Sequence, residues 1–347
     1  MILSFVSGWP LGLQILAFIV GLGVGIFCLV KFCDIFVNSA SAIAKRLNIS
    51  PLIIGLTIVA IGTSCPELAV SVSDSITTLV EGGNANVAIG NVVGSNICNL
   101  LVVLGFSAVF TPIIVKKSIC KREYPFLLIV TGLLTLFTCL FGIKSITGNY
   151  AITRIEGIIL TVFIVLYIVF LIYNAKKNPD SSQEAVNVED MPLPKSIILT
   201  IVGIAGIIFG GEAVVFGAKG IALTGSDALG LNHDLAESLV GLTIVAVGTS
   251  LPELVTSVIA AKKGQNEIAL GNVIGSNIFN IVFVLGISGT VSPLTSGSQI
   301  IVDIFVMLGV TIFVFILSLK GKIGRKEGFI LLGLYAAYLA YLIIRTI

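Results

Sequence analysis

The sequence predicts an all-α membrane protein with ten transmembrane helices in two inverted five-helix repeats. Three observations predict it. The 347-residue chain is 56% hydrophobic and only 11% charged, with a mean hydropathy of +1.11, whereas a soluble domain is about 25% charged. That much apolar surface cannot be hidden in one protein core, so lipid must act as solvent. Apolar stretches of about 20 residues, long enough to cross a bilayer, recur along the chain. Finally, one passage is written twice: residues 55–72 read GLTIVAIGTSCPELAVSV and residues 241–258 read GLTIVAVGTSLPELVTSV, with four differences in eighteen positions.

The spans are expected, in order, at 11–43, 51–78, 86–111, 124–143, 152–174, 196–222, 236–262, 267–291, 299–319 and 327–346. No Lys or Arg precedes Lys31, so the first segment lacks the charged start of a signal peptide and is expected to remain as a helix. The second and seventh spans are expected to be broken, because Pro66 and Pro252 lack an N–H and clash with the carbonyl four residues back. Residues 175–195 (AKKNPDSSQEAVNVEDMPLPK) form the long polar run and read as a cytoplasmic linker. The domains are then 1–174, the linker 175–195, and 196–347.

Basic residues mark cytoplasmic loops. Lys45 and Arg46, Lys116 to Arg122, Lys176, Lys177 and Lys195, Lys262 and Lys263, and Lys320 to Lys326 all fall after odd-numbered spans, which accounts for 15 of the 20 basic residues. Both termini are therefore expected outside. The net charge of +2 points to no nucleic-acid partner. The six cysteines make no C-x-x-C pair and read as packing residues. His233, the single histidine, falls in an outer loop and reads as solvated.

The repeat extends from end to end. DIFVNSASAIA (34–44) matches EAVVFGAKGIA (212–222), AIGNVVGSNICN (88–99) matches ALGNVIGSNIFN (269–280), TP (111–112) matches SP (292–293), and RIEGIIL (154–160) matches RKEGFIL (325–331). Five spans is an odd number, so the second copy enters the membrane from the opposite side. Transporters built this way place their substrate site at the midplane between repeats, on broken helices.

Each copy of the doubled passage places one acid, Glu67 or Glu253, in an apolar stretch directly after its proline. An intramembrane acid marks a functional site by default. The proline frees carbonyls near Gly62 and Thr63, and near Gly248 and Thr249, and a freed carbonyl in lipid must line a cavity or find a ligand. Two carboxylates, freed carbonyls and the hydroxyls of Thr63, Ser64, Thr249 and Ser250 make an all-oxygen set suited to a hard cation such as Ca²⁺, and no His or Cys constellation favours zinc or copper. The glycines of the second motif (Gly90, Gly94, Gly271, Gly275) permit close helix approach. Ser95 and Asn99, like Ser276 and Asn280, are spaced i, i+4 and share a helix face. Asn96 and Asn277 fit either the site or hydrogen bonding between helices. Asp34 either steers ions toward the mouth, with Glu212, or pairs locally with Lys31.

With GTSxPEL and GNxxGSNI in both halves, the chain resembles the α-repeats of sodium/calcium exchangers in the calcium/cation antiporter superfamily, of the prokaryotic and archaeal type. The resemblance implies a cell-membrane, multi-pass antiporter rather than an enzyme, with Ca²⁺ and Na⁺ as substrates, the lipid bilayer as surroundings, and neither a cofactor nor an obligatory protein partner. It implies Ca²⁺ ligation by the carboxylates of Glu67 and Glu253 and the backbone oxygens of Thr63 and Thr249. It implies Na⁺ ligation by backbone oxygens of Ala60 and Ala246, the hydroxyls of Ser64, Ser95, Ser250 and Ser276, and the same glutamates, with Asn99 and Asn280 lining the site between them. It further implies that the first and sixth helices slide to alternate access, through small-residue, poorly helical stretches near 38–44 and 216–222. Asn at 99 and 280, where some relatives carry Asp, argues against K⁺ use. GTSxPE in place of GNxxE argues against proton coupling. Ca²⁺/H⁺ exchange is the alternative within the class, and a passive cation channel the alternative outside it.

Overall fold

The computed structural model describes residues 8–47, 50–81, 87–138, 150–177, 191–228, 246–296 and 300–346. The described chain is helical apart from two small two-stranded ribbons. In chain order the helices are α1 (Leu11–Leu47), α2 (Pro51–Thr63), α3 (Cys65–Glu81), α4 (Ala88–Phe110), α5 (Lys117–Leu136), α6 (Arg154–Lys177), α7 (Leu193–Ala228), α8 (Ala246–Thr249), α9 (Leu251–Lys262), α10 (Asn266–Val291), α11 (Ile300–Ser318) and α12 (Arg325–Thr346).

Among the described residues, seven helices are long and apolar enough to cross a membrane, and the bent pair α2–α3 adds an eighth. Two expected spans are missing from that set for identifiable reasons. The span expected at 124–143 begins seven residues earlier than read from the sequence: Lys117, Lys121, Arg122 and Glu123 are wound into the first turns of α5 rather than left in a loop. Of the span expected at 236–262, residues 236–245 lie outside the described residues, as do His233 and Cys139.

The two helices that carry the GNxxGSN motif lie inside. The apolar windows of α4 and α10 are 83% and 94% buried, against 17% for α1 and for α12. α4 and α10 can therefore carry Ser and Asn side chains that meet protein. The outer helices present Phe27, Val165, Ile198, Phe305 and Ile344 outward, as lipid requires.

α1, of 37 residues, and α7, of 36, lie along each other. At 1.5 Å per residue each is roughly 55 Å long, well beyond a hydrocarbon core of about 30 Å. Glycine sets their separation: a Cβ on Gly25 would sit 2.8 Å from the Gly210 carbonyl, and one on Gly217 would sit 2.5 Å from the Phe18 carbonyl. The stretches 38–44 and 216–222, expected to be poorly helical, are continuous helix in both. Their small side chains allow close packing instead of breaking the helix, because i→i+4 bonds cost nothing to keep where lipid offers no competing partner.

The ribbons join matched places in the sequence repeat. β1 (Ile113–Ile114), after α4, pairs antiparallel with β4 (Lys322–Ile323), before α12. β2 (Tyr150–Ile152), before α6, pairs antiparallel with β3 (Leu294–Ser296), after α10. Each ribbon leads into a helix opened by the R-x-E-G signature. In the first copy, the Glu156 carboxylate accepts from the Thr153 N–H at 2.7 Å while the Thr153 hydroxyl accepts from the Glu156 N–H at 3.3 Å, a reciprocal cap. In the second, Glu327 accepts from the Gly324 N–H at 3.0 Å. The glycine that follows lets the helix touch its neighbour: a Cβ on Gly157 would come within 2.6 Å of the Gly289 carbonyl carbon, and one on Gly328 within 2.7 Å of the Gly105 carbonyl oxygen.

Candidate cation site

α2 stops at Thr63 and α3 starts at Cys65, with a bend of 48° between them. The joint is Ser64, at φ −84° and ψ 6°. Its counterpart Ser250, between α8 and α9, has φ −88° and ψ 3°. Both occupy the sparsely populated bridge region between helix and strand. Pro66 and Pro252 then sit in the first turn of the resumed helix, where a missing N–H is tolerated, and Glu67 and Glu253 follow in that same turn. A carboxylate in the first turn faces the positive end of the helix dipole.

Both glutamates are fully buried. Their partners cross between the halves. The Ser64 hydroxyl donates to Glu253 Oε1 at 3.2 Å, and the side chain of Thr249 lies beside Glu67. Within the first half, the Ser95 hydroxyl donates to Glu67 Oε1 at 3.3 Å. Thr63 Oγ1 lies 3.1 Å from Asn272 Oδ1 and 3.4 Å from Ser276 Oγ. So Glu67, Glu253, Thr63, Ser64, Ser95, Thr249 and Ser276 come together. Ser250 is buried at the matching joint. The Ala60 carbonyl accepts from the Ser64 N–H at 3.0 Å; Ala246 opens α8.

Several oxygens here are buried without a hydrogen-bond partner among the described residues: Oε2 of each glutamate, and Oδ1 of Asn99 and of Asn280. A buried acceptor left unmatched costs about 1–3 kcal/mol. Unmatched buried oxygens on both glutamates and on both motif asparagines suit a positively charged substrate held by oxygen. Among the described residues no three His, Cys, Asp or Glu side chains form a group, so the charge comes from two carboxylates and the rest of the shell from neutral oxygens.

Asn99 and Asn280 each open a π-helical turn, Asn99–Val103 and Asn280–Val284, where the N–H of Leu104 bonds back to the Asn99 carbonyl and that of Leu285 to the Asn280 carbonyl. Such turns recur at functional sites because they re-aim a side chain out of the regular helical register. Of the two asparagines left open in the sequence, Asn96 links α4 to α10, whereas the Asn277 side chain bonds within its own helix. Asn96 donates to the Asn277 carbonyl at 3.2 Å and accepts from Asn280 at 3.1 Å, and Asn277 turns back to the Val273 carbonyl at 2.7 Å.

Asn91 and Asn272, which had no role in the sequence, bond directly to the main chains of Glu67 and Glu253 and to Ser71 and Ser257 on the same two helices. The signal was present, since all four lie inside the duplicated motifs. The expected pairing of Asp34 with Lys31 is corrected. Asp34 Oδ1 is 2.6 Å from Lys263 Nζ, which also donates to Asn38 Oδ1 at 2.6 Å. The tertiary fold brings a loop cation to α1, and that partner overrides the local i, i+3 pair. Glu212 is exposed.

The model of the sodium/calcium exchanger protein family matches residues 17–174 and 195–344. The chain belongs to that family. Among its relatives in the exchanger family, the putative antiporter CaxA of Alkalimonas amylolytica is 38% identical over 91% of this chain and 95% of its own length. The sodium/calcium exchanger MaX1 of Methanosarcina acetivorans is 33% identical over 92% and 96%. The solved sodium/calcium exchanger from Methanococcus jannaschii superposes with a TM-score of 0.76 at 32% identity, covering 94% of this chain and 98% of that one. This exchanger-family chain is an all-α, multi-pass membrane protein.

Proposed function

We propose that this protein is a secondary-active antiporter that exchanges Na⁺ for Ca²⁺ across the cell membrane by alternating access, with Ca²⁺ extrusion driven by the Na⁺ gradient. The observation that carries the reading is the meeting of two fully buried carboxylates, Glu67 and Glu253, at matched helix breaks, with Ser64 of one break bonded to Glu253 of the other. Two ionised glutamates balance one Ca²⁺ or two Na⁺, so the ions compete for one pair of charges and cannot all bind together. Exclusive occupancy is what coupled exchange needs.

In this reading Ca²⁺ is held by Glu67, Glu253 and the main-chain oxygens of Thr63 and Thr249. Na⁺ takes Ala60, Ala246, Ser64, Ser95, Ser250, Ser276 and the same glutamates, with Asn99 and Asn280 lining the space between. The architecture is ten spans in two inverted repeats, 1–174 and 196–347, joined by the linker 175–195. The two ribbons support it: β1 with β4 and β2 with β3 exchange when the halves are exchanged. The pairing of Ile114 with Lys322 also brings the basic segments 116–122 and 320–326 to one end of the molecule, as an inside assignment for both requires.

The test is a gradient swap in proteoliposomes. An outward Na⁺ gradient drives Ca²⁺ uptake and an outward H⁺ gradient does not. Uptake driven by H⁺ alone would establish the Ca²⁺/H⁺ alternative, and a Ca²⁺ conductance indifferent to both gradients would establish a channel.

A further inference from the structure

Each glutamate-bearing helix is gripped by an asparagine from the helix beside it. On α4, Asn91 Nδ2 donates to the main-chain carbonyl of Glu67 at 3.3 Å and to the Ser71 hydroxyl at 3.1 Å. On α10, Asn272 Nδ2 donates to the carbonyl of Glu253 at 3.4 Å and to the Ser257 hydroxyl at 2.9 Å. Glutamate and serine stand four residues apart in both copies and so share one helix face. A primary amide has two N–H donors, which match that pair of acceptors. Asn272 does one thing more: its Oδ1 accepts from the Thr63 hydroxyl at 3.1 Å and from Ser276 at 3.5 Å. One fully buried side chain thereby ties the Glu253 main chain to Thr63, across the two halves.

The residue type is constrained by this geometry. Aspartate would offer no donor and would add a third negative charge beside the two glutamates. A hydrophobic side chain would take away the amide donors and, at 272, the acceptor facing Thr63, leaving main-chain carbonyls to hold the Thr63 and Ser257 hydroxyls.

We propose that Asn91 and Asn272 are positioning residues of the exchange site. They act through Glu67 and Glu253, fixing the depth at which each carboxylate enters the site, and they do not themselves bind the cation. The inference rests on the exchange reading above. Partners one layer behind a metal ligand typically change cation affinity by roughly 10–100-fold when removed.

The experiment is Na⁺-driven Ca²⁺ uptake and, in parallel, Sr²⁺ uptake, by purified protein in proteoliposomes, normalised to folded protein. The wild type and Glu253→Gln are run alongside. Asn272→Ala and Asn91→Ala raise the KM for Ca²⁺ roughly tenfold or more, with a smaller effect on maximal rate, and they narrow the discrimination between Ca²⁺ and the larger Sr²⁺. Ser257→Ala and Ser71→Ala, which keep the asparagine but remove one of its two partners, shift KM in the same direction by less. The effects of Asn272→Ala and Ser257→Ala combined fall short of their sum, as expected for groups acting through one contact. A wild type without Na⁺-driven uptake sinks the exchange reading itself. An active wild type with KM and Ca²⁺/Sr²⁺ ratio unchanged in folded Asn272→Ala and Asn91→Ala overturns the positioning role. If the asparagine variants do not fold, unchanged values in both serine variants overturn it equally.

Discussion

Ser64 and Glu253 lie 189 residues apart in the chain and meet through a 3.2 Å hydrogen bond. The serine is the hinge of the first helix break, and the glutamate opens the helix after the second. A motif that reads as two copies thus closes into one site, with each copy completing the other.

Removing charge from that site separates binding from folding. Glu67→Gln or Glu253→Gln lowers Ca²⁺ uptake by ~100-fold or more, equivalent to ~2.7 kcal/mol of lost interaction. The amide keeps the shape but not the charge. Thermal unfolding in detergent without Ca²⁺ shifts upward or not at all, because a buried unpaired charge is costly to keep. Retained uptake in both single variants would remove these carboxylates from the site.

Asn99 and Asn280 hold matched sequence positions but respond differently to the same change. Asn280 donates to Asn96 Oδ1 at 3.1 Å, so Asn280→Asp turns a donor into an acceptor facing an acceptor and costs about 1–3 kcal/mol. Neither polar atom of the Asn99 side chain has a partner among the described residues, so Asn99→Asp loses no such bond. Chemical or thermal unfolding of the two variants ranks them, with Asn280→Asp the less stable. The reverse order would contradict the assigned link between α4 and α10.

Backbone contact at Gly157 leaves no room for a methyl group: a Cβ there meets the Gly289 carbonyl carbon and the Thr290 nitrogen, both at 2.6 Å. Gly157→Ala destabilises the protein by about 1–3 kcal/mol, as overpacking does. Gly309, exposed on α11 with nothing within 4 Å of its added Cβ, is the control. Gly309→Ala is neutral or stabilising by up to ~1 kcal/mol, from helix propensity. Equal midpoints for the two variants would show that α6 and α10 do not touch as described.

Arg345 Nη1 reaches both oxygens of Asp303 at 3.0 Å, and Tyr338 donates to Asp303 Oδ1 at 3.2 Å. The cluster pins the end of α12 to the start of α11. Arg345→Met leaves the buried Asp303 without its cation and costs about 1.5–3 kcal/mol. Adding Asp303→Asn recovers part of that loss, because the second change removes the stranded charge. A double variant as unstable as the sum of the singles would show the two groups to be independent.

Much of the candidate site was legible because it is written twice. The duplicated proline and glutamate named the helix breaks, and Ser64 and Ser250 are where the backbone leaves the helix. What pairing the polar residues would choose was not legible. Asp34 has a basic residue three positions earlier, yet Lys263 takes it, since sequence proximity carries no information about which loop folds over a helix. The start of α5 was misread for a related reason: charged residues in a membrane protein mark the end of the apolar layer, not the end of the helix.

Read alone, the sequence establishes that this chain lives in lipid, that it is built by duplication and that each half carries one acid in an apolar stretch, and it predicts a second half that enters from the opposite face. Those properties follow from composition, spacing and parity, which need no coordinates. Which oxygen faces which came from the packing of the two halves. It placed Ser64 on Glu253, Asn272 between Glu253 and Thr63, and Asn96 against Asn277 and Asn280. Burial is why: away from water an unmatched donor is costly, and which acceptor it finds depends on how the two halves pack.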